Sequence, residues 1–136
     1  MTFSTINTNP TGSLWPTQGT EITYEGIQTL IAHPPETRGI LLIDVRGREE
    51  FLQGHIPTSV NLPLDELEKA LHLSDEEFFR TYQFQPPKPH SRIVVSCRSG
   101  SRSTRAHKWL LEAGFQSVLN YPGGWIEFST RQPARE

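Results

Sequence analysis

The chain has 136 residues, 35% of them hydrophobic, which suffices for one compact domain around one core and is too little for two ordinary domains. Its 13 basic and 15 acidic side chains leave a net charge of -2, so no overall basic field points to nucleic acid or to an anionic membrane, and neither is expected as a partner. A single cysteine, Cys97, excludes an internal disulfide and fits a reducing compartment. Cytosol is the expected location, with a mitochondrial one left open.

The segment 1–19 is rich in Thr, Asn and Ser and has neither an apolar signal core nor any Lys or Arg. It reads as a flexible lead-in to a domain over 20–130, with a short tail at 131–136. Thr23 is placed to cap a helix carrying Ile27, Leu30 and Ile31 on one face, ended by His33-Pro34-Pro35. The run from Gly39 to Val45 is almost continuously apolar, as expected of a strand buried on both faces of a parallel sheet. Arg48 to Gln53 reads as a short helix stopped by Gly54, Ser59 to Leu62 as a short strand, and Pro63 as the start of a helix through Leu71. Ser74 and Glu77 form a capping-box pair ahead of a helix through Phe78 and Phe79. The tract Gln85-Pro86-Pro87-Lys88-Pro89 is an extended connector.

Arg92 to Ser96 is the next strand, and a helix is expected over 103–113, ended by Gly114. Ser117 to Tyr121 forms one more strand, and Pro122-Gly123-Gly124-Trp125 turns into a final short helix. Strands separated by helical crossovers make an α/β fold with a central parallel sheet flanked by helices. In such sheets ligands lie at the carboxyl ends of the strands, which is where Cys97 falls.

Cys97 therefore opens the loop Arg98-Ser99-Gly100-Ser101-Arg102 between a strand and a helix. Backbone N–H groups converge in such a loop, and together with the helix dipole and the guanidinium groups of Arg98 and Arg102 they favour the thiolate, the nucleophilic form. Gly100 permits a left-handed backbone in the cradle. Ser99 and Ser101 either donate hydroxyls or are small solvent-facing fillers, and Ser103 is expected to cap the following helix. The whole stretch 92–108 carries five basic residues and no acidic one. Within it, Arg105 and Lys108 either extend an anion basin or form a solvated helix face. Asp44 and Arg46, at the end of a neighbouring strand, are placed to pair and brace the loop. His55 belongs to a turn, and Trp125 either walls the pocket or fills the core. His33, His72, His90 and His107 have no metal-ligand spacing with Cys97, so no zinc site is expected.

Asp44-Val45-Arg46 with Glu49, Phe51, Gly54-His55-Ile56-Pro57 and Asn61-Leu62-Pro63 resembles the first signature of the rhodanese family. Cys97 to Ser103 is similar to that family's active-site loop, and Tyr121-Pro122-Gly123-Gly124-Trp125 to its C-terminal signature. The insert from Leu73 to Pro89 is like that of the small single-domain thiosulfate sulfurtransferases. The departures are Gly47, where proline is common, and Thr58-Ser59, where Gly-Ala is common. The resemblance implies a single rhodanese-like domain and a two-step sulfur relay with no metal or organic cofactor. Cys97 would take sulfur from a small sulfur-containing anion such as thiosulfate, and a thiol acceptor or cyanide would remove it. The rival readings are a Cdc25-like phosphatase or arsenate reductase, and a noncatalytic rhodanese-like binding module. Four residues separate Cys97 from Arg102, one fewer than in the phosphatase loop, and the cysteine that binding modules usually lack is present. The oligomeric state is left open, with an exposed Trp15 or the Phe78-Phe79 pair as the candidate partner surface.

Overall fold

The computed structural model describes Trp15 and residues 19–131. The elements, in chain order, are α1 (Tyr24–Ile31), α2 (Pro35–Arg38), β1 (Ile40–Asp44), α3 (Arg48–Gln53), β2 (Val60–Asn61), a 3-10 turn (Leu64–Glu66), α4 (Leu67–Ala70), α5 (Asp75–Tyr82), β3 (Arg92–Ser96), α6 (Ser101–Glu112), β4 (Ser117–Tyr121) and α7 (Gly124–Arg131). The four strands form one sheet in the order β2-β1-β3-β4, and every pairing is parallel. Asp44 lies opposite Ser96, and Ser96 opposite Tyr121. The segments that follow β1, β3 and β4 therefore leave the sheet at one level, along its carboxyl edge.

The unbroken apolar runs have the reason their sequence implies. Alternate residues feed two cores, since side chains along a strand point to opposite faces. Ile43, Ile93, Val95 and Val118 pack with Ala106 and Leu110 of α6 and with Leu67 and Phe78. Ile40, Leu42, Val94, Leu119 and Tyr121 pack with Ile27 and Leu30 of α1 and with Phe128 of α7. Cys97 continues the alternation of Ile93 and Val95 and so belongs to the α6 side.

Local chemistry sets the element ends. The Thr23 hydroxyl accepts from the Gly26 N–H at 3.1 Å and caps α1. Ser74 and Glu77 close a reciprocal capping box on α5. The prolines after α1 do more than stop it: Pro35 begins α2, an element absent from the sequence reading, because its fixed φ suits a first helical position. Where Gly-Ala is common in the resembling family, Thr58 adopts φ 68°, a conformation that costs a β-branched residue about 1–2 kcal/mol. Its hydroxyl accepts from the buried Arg38 guanidinium at 2.7 Å, which offsets part of that strain.

Three expectations need correction. The helix after the cysteine loop begins at Ser101, not at residue 103, because Gly100 takes the cap position with a left-handed φ of 102°. Arg131 is the last residue of α7 and ion-pairs with Glu25 and Glu127 rather than starting a frayed tail. Phe78 is fully buried and Trp15 half-buried against the α1 core with the Arg92 guanidinium over its ring, which leaves Phe79 as the exposed aromatic of the three. The rest of the expected lead-in and tail lies outside the described residues.

Candidate active site

The carboxyl edge of β3 delivers Cys97 into a loop whose polar groups are sorted by direction. Two of its carbonyls point away from the sulfur and are satisfied by the start of α7. The Trp125 N–H donates to the Cys97 carbonyl at 2.8 Å, and the Ile126 N–H to the Arg98 carbonyl at 3.0 Å. This leaves N–H groups facing the thiol, and Gly100 N–H donates to Sγ at 3.1 Å. Two glycines make the close approach possible. Gly124 has φ 64°, and a Cβ there would lie 2.5 Å from the Arg98 carbonyl oxygen; a Cβ on Gly100 would lie 2.8 Å from that of Pro122.

Ser103 does not cap α6. It sits inside the first turn, fully buried, and the Cys97 thiol donates to its Oγ at 3.5 Å while that hydroxyl donates to the Gly100 carbonyl at 3.2 Å. Burial of Cys97 pushes its thiol pKa up, but once the thiol ionises the Ser103 hydroxyl can turn and donate to it, and this bond with those from the N–H groups of Ser103, Gly100 and Ser99 outweighs burial and holds the pKa below its ordinary value. Hydrogen bonds are thus the leading stabilisers of this thiolate, ahead of the guanidinium charges that the sequence suggested. Ser103→Ala removes one of them. A hydrogen bond to a charged group is worth about 1.5 kcal/mol or more, so the pH at which Cys97 reacts half-maximally should rise by about one unit. Alkylation of Cys97 by iodoacetamide across pH measures this, and rates should converge with those of the parent above both pKa values.

The arginines are placed differently from one another. Arg98 is exposed and borders a cleft with Arg46 and Trp125. Arg102 is half-buried and held by Glu50 in a two-pronged contact of 2.7 and 3.1 Å. Glu50 also accepts from the Gly47 N–H at 3.0 Å, and its pKa is pulled down to about 2, chiefly by its hydrogen bonds from Arg102. The pair therefore stays ionised at any ordinary pH and weakens only as pH falls towards 2. Glu50 escaped the sequence reading because 52 positions separate it from Arg102. Its one local signal was a carboxylate in the first turn of a short helix.

Asp44 and Arg46 form a buried ion pair at 2.8 Å, and Arg46 also donates to the Gly54 carbonyl at 2.6 Å. Its guanidinium lies 5.6 Å from the Trp125 ring centroid. The backbone N–H of Trp125 in turn donates to the Cys97 carbonyl, so the pair and the loop both contact this residue. Trp125 is half-buried, packs against the α1 core and lines the cleft that Arg98 borders. Ser99 and Ser101 face solvent. His55 stacks on Phe51 at 3.7 Å and its Nδ1 lies 2.7 Å from the Phe51 carbonyl, a turn role. Beside Arg102, a second cleft of about 600 Å3 runs between α6 and the 3-10 turn, floored by Val45, Leu64 and Trp109.

The family described as Rhodanese-like domain matches residues 28–131, a span that contains the sheet, the cysteine loop and α7. The chain belongs to the rhodanese family. A Schizosaccharomyces pombe protein provisionally named a mitochondrial thiosulfate sulfurtransferase is 44% identical over 79% of this rhodanese and 76% of its own length. The thiosulfate:glutathione sulfurtransferase of Homo sapiens is 33% identical over 72% of this chain and 91% of its own. The solved structure of the human single-domain sulfurtransferase TSTD1 superposes with a TM-score of 0.77 at 28% identity, covering 85% of this rhodanese and all of that chain. The single α/β domain with a central parallel sheet is thus the rhodanese fold.

Proposed function

We propose that this rhodanese is a sulfurtransferase that moves sulfane sulfur from thiosulfate, through a persulfide on Cys97, to a thiophilic acceptor such as cyanide, glutathione or a protein thiol. In the first step the Cys97 thiolate attacks the outer sulfur of thiosulfate. The bond between the two thiosulfate sulfurs breaks, and its electron pair leaves with sulfite. In the second step the acceptor attacks the outer persulfide sulfur, and the Cys97–sulfur electron pair returns to Cys97 as thiolate.

The observation that carries this reading is one buried sulfur at a strand end that accepts from the Gly100 N–H at 3.1 Å and lies in hydrogen-bond contact with the Ser103 hydroxyl at 3.5 Å. Every species in the relay is anionic at that point, and fixed donors stabilise each without reorganising. Splitting the transfer into two displacements lowers each barrier. The chain has no second cysteine to resolve the persulfide, which supports an external acceptor. The relatives named for thiosulfate and for glutathione support the donor and acceptor classes. A solitary thiol and two relatives with mitochondrial in their names support a reducing compartment, cytosol or mitochondrion.

The roles of the two arginines follow from charge. Arg102 is the proposed anion contact, and Arg98 serves as the outer contact. Arg102→Ala should raise KM for thiosulfate about tenfold or more, the loss of one charge-assisted contact, with little change in thermal stability because its partner Glu50 is half-exposed. An unchanged KM removes Arg102 from the donor site. The test of the reaction class is direct: with thiosulfate and cyanide the protein should form thiocyanate and sulfite. Turnover of an aryl phosphate without thiocyanate would transfer the assignment to the phosphatase class.

A further inference from the structure

The cleft beside Arg102 has walls of opposite sign. Arg102 and Arg105 stand one turn apart on α6, with Trp109 one further turn along the same face. Asp65 and Glu68, three residues apart, form the other wall. Among the described residues Arg105, Asp65 and Glu68 form no ion pair. Val45, Leu64 and Trp109 add apolar lining, and the charges of Arg105, Asp65 and Glu68 remain available to something that enters. At about 600 Å3 the cleft falls in the range of small-molecule sites and exceeds what thiosulfate or cyanide needs. One of its lining residues is Arg102, in the first turn of α6 where the Cys97 loop ends; its guanidinium donates to Glu50, which raises its pKa, and the charge of Cys97 raises it further, so the cleft opens within electrostatic reach of the sulfur.

We infer that this cleft is the acceptor subsite, built for a small zwitterionic thiol of the glutathione class, with a carboxylate on Arg105 and an ammonium group between Asp65 and Glu68. The inference rests on the sulfurtransferase reading, and adds to it where the acceptor binds and what selects it. An acceptor seated there presents its thiol towards Arg102. After loss of its proton to solvent, the acceptor thiolate attacks the outer persulfide sulfur, the bond to Cys97 breaks with its electron pair on Cys97, and the acceptor leaves as its own persulfide. Cyanide has neither a carboxylate to pair with Arg105 two-pronged nor an ammonium group for Asp65 and Glu68, so two-point selection by the cleft applies to the zwitterion and not to cyanide.

Charge reversal tests this without depending on absolute activity. Arg105→Glu and Glu68→Lys, both at exposed positions, should each lower the ratio of kcat/KM for glutathione to that for cyanide by about tenfold or more, one charged contact each. A ratio within twofold of the parent's in both variants overturns the subsite. Binding is read separately with S-methylglutathione, a thioether that cannot accept sulfur. It should shift the Trp109 indole N–H resonance of the parent protein, and the shift should disappear in Arg105→Glu. Absence of any shift in the parent at millimolar ligand overturns the proposal. If the protein fails to carry sulfur from thiosulfate at all, the sulfurtransferase reading falls, and the resonance of Trp109 still decides the cleft.

Discussion

Cys97→Ser should lower sulfur transfer from thiosulfate by more than about 10³-fold while leaving the fold in place. Loss of a covalent nucleophile removes the reaction path and not one contribution to it, which is why such losses are large. The serine hydroxyl ionises far above neutral pH, and the hydrogen bonds of the site cannot bring it into range. The substitution is nearly isosteric, and Gly100 N–H and Ser103 can serve an oxygen as they serve sulfur. Thermal stability should therefore change by less than about 1 kcal/mol, the size of a typical conservative substitution. Thiocyanate formation alongside a melting curve checks both halves. Residual transfer above a hundredth of the parent rate would mean that Cys97 is not the sulfur carrier.

Asp44→Ala should destabilise the protein by about 3–5 kcal/mol, the cost of leaving a buried charge without its partner. Both side chains of the Asp44–Arg46 pair are about 95% buried or more, so water cannot replace the carboxylate. Arg46 would keep its bond to the Gly54 carbonyl and lose those to Asp44 at 2.8 to 3.1 Å. For a domain of this size the melting temperature should fall by about 10 °C or more. The surviving folded fraction should also react more slowly, because Arg46 contacts Trp125 and the backbone N–H of Trp125 donates to the Cys97 carbonyl. Circular dichroism on heating measures the first effect. A loss below about 1 kcal/mol would show that Arg46 finds another partner.

Much of this architecture is local in sequence, which is why it can be read there. Strands buried on two faces appear as unbroken runs such as Ile40 to Asp44 and Ile93 to Ser96, and caps such as Thr23 and Ser74 lie within three residues of the groups they satisfy. Cys97 is legible for the same reason, since strand, thiol, glycine and helix follow in order. The missed features are long-range or depend on one dihedral angle. Glu50 meets Arg102 only after β1 and β3 pair. Ser103 looked like a cap until Gly100, by turning left-handed, moved the helix start two residues earlier and put the hydroxyl on the sulfur. Two arginines near a thiol suggested stabilisation by charge, but one is exposed and the other is occupied by a carboxylate. Neutral donors lead instead, the Ser103 hydroxyl first and then backbone N–H groups that no side-chain pattern records.

Intact-protein mass spectrometry after brief exposure to thiosulfate tests the central claim most directly. The account predicts a gain of one sulfur atom, located on Cys97, with an equivalent of sulfite released, and reversal of the gain by cyanide or glutathione. An unmodified Cys97 under conditions where the protein turns over thiosulfate and cyanide would contradict it, because sulfur would then pass between donor and acceptor without residing on the enzyme.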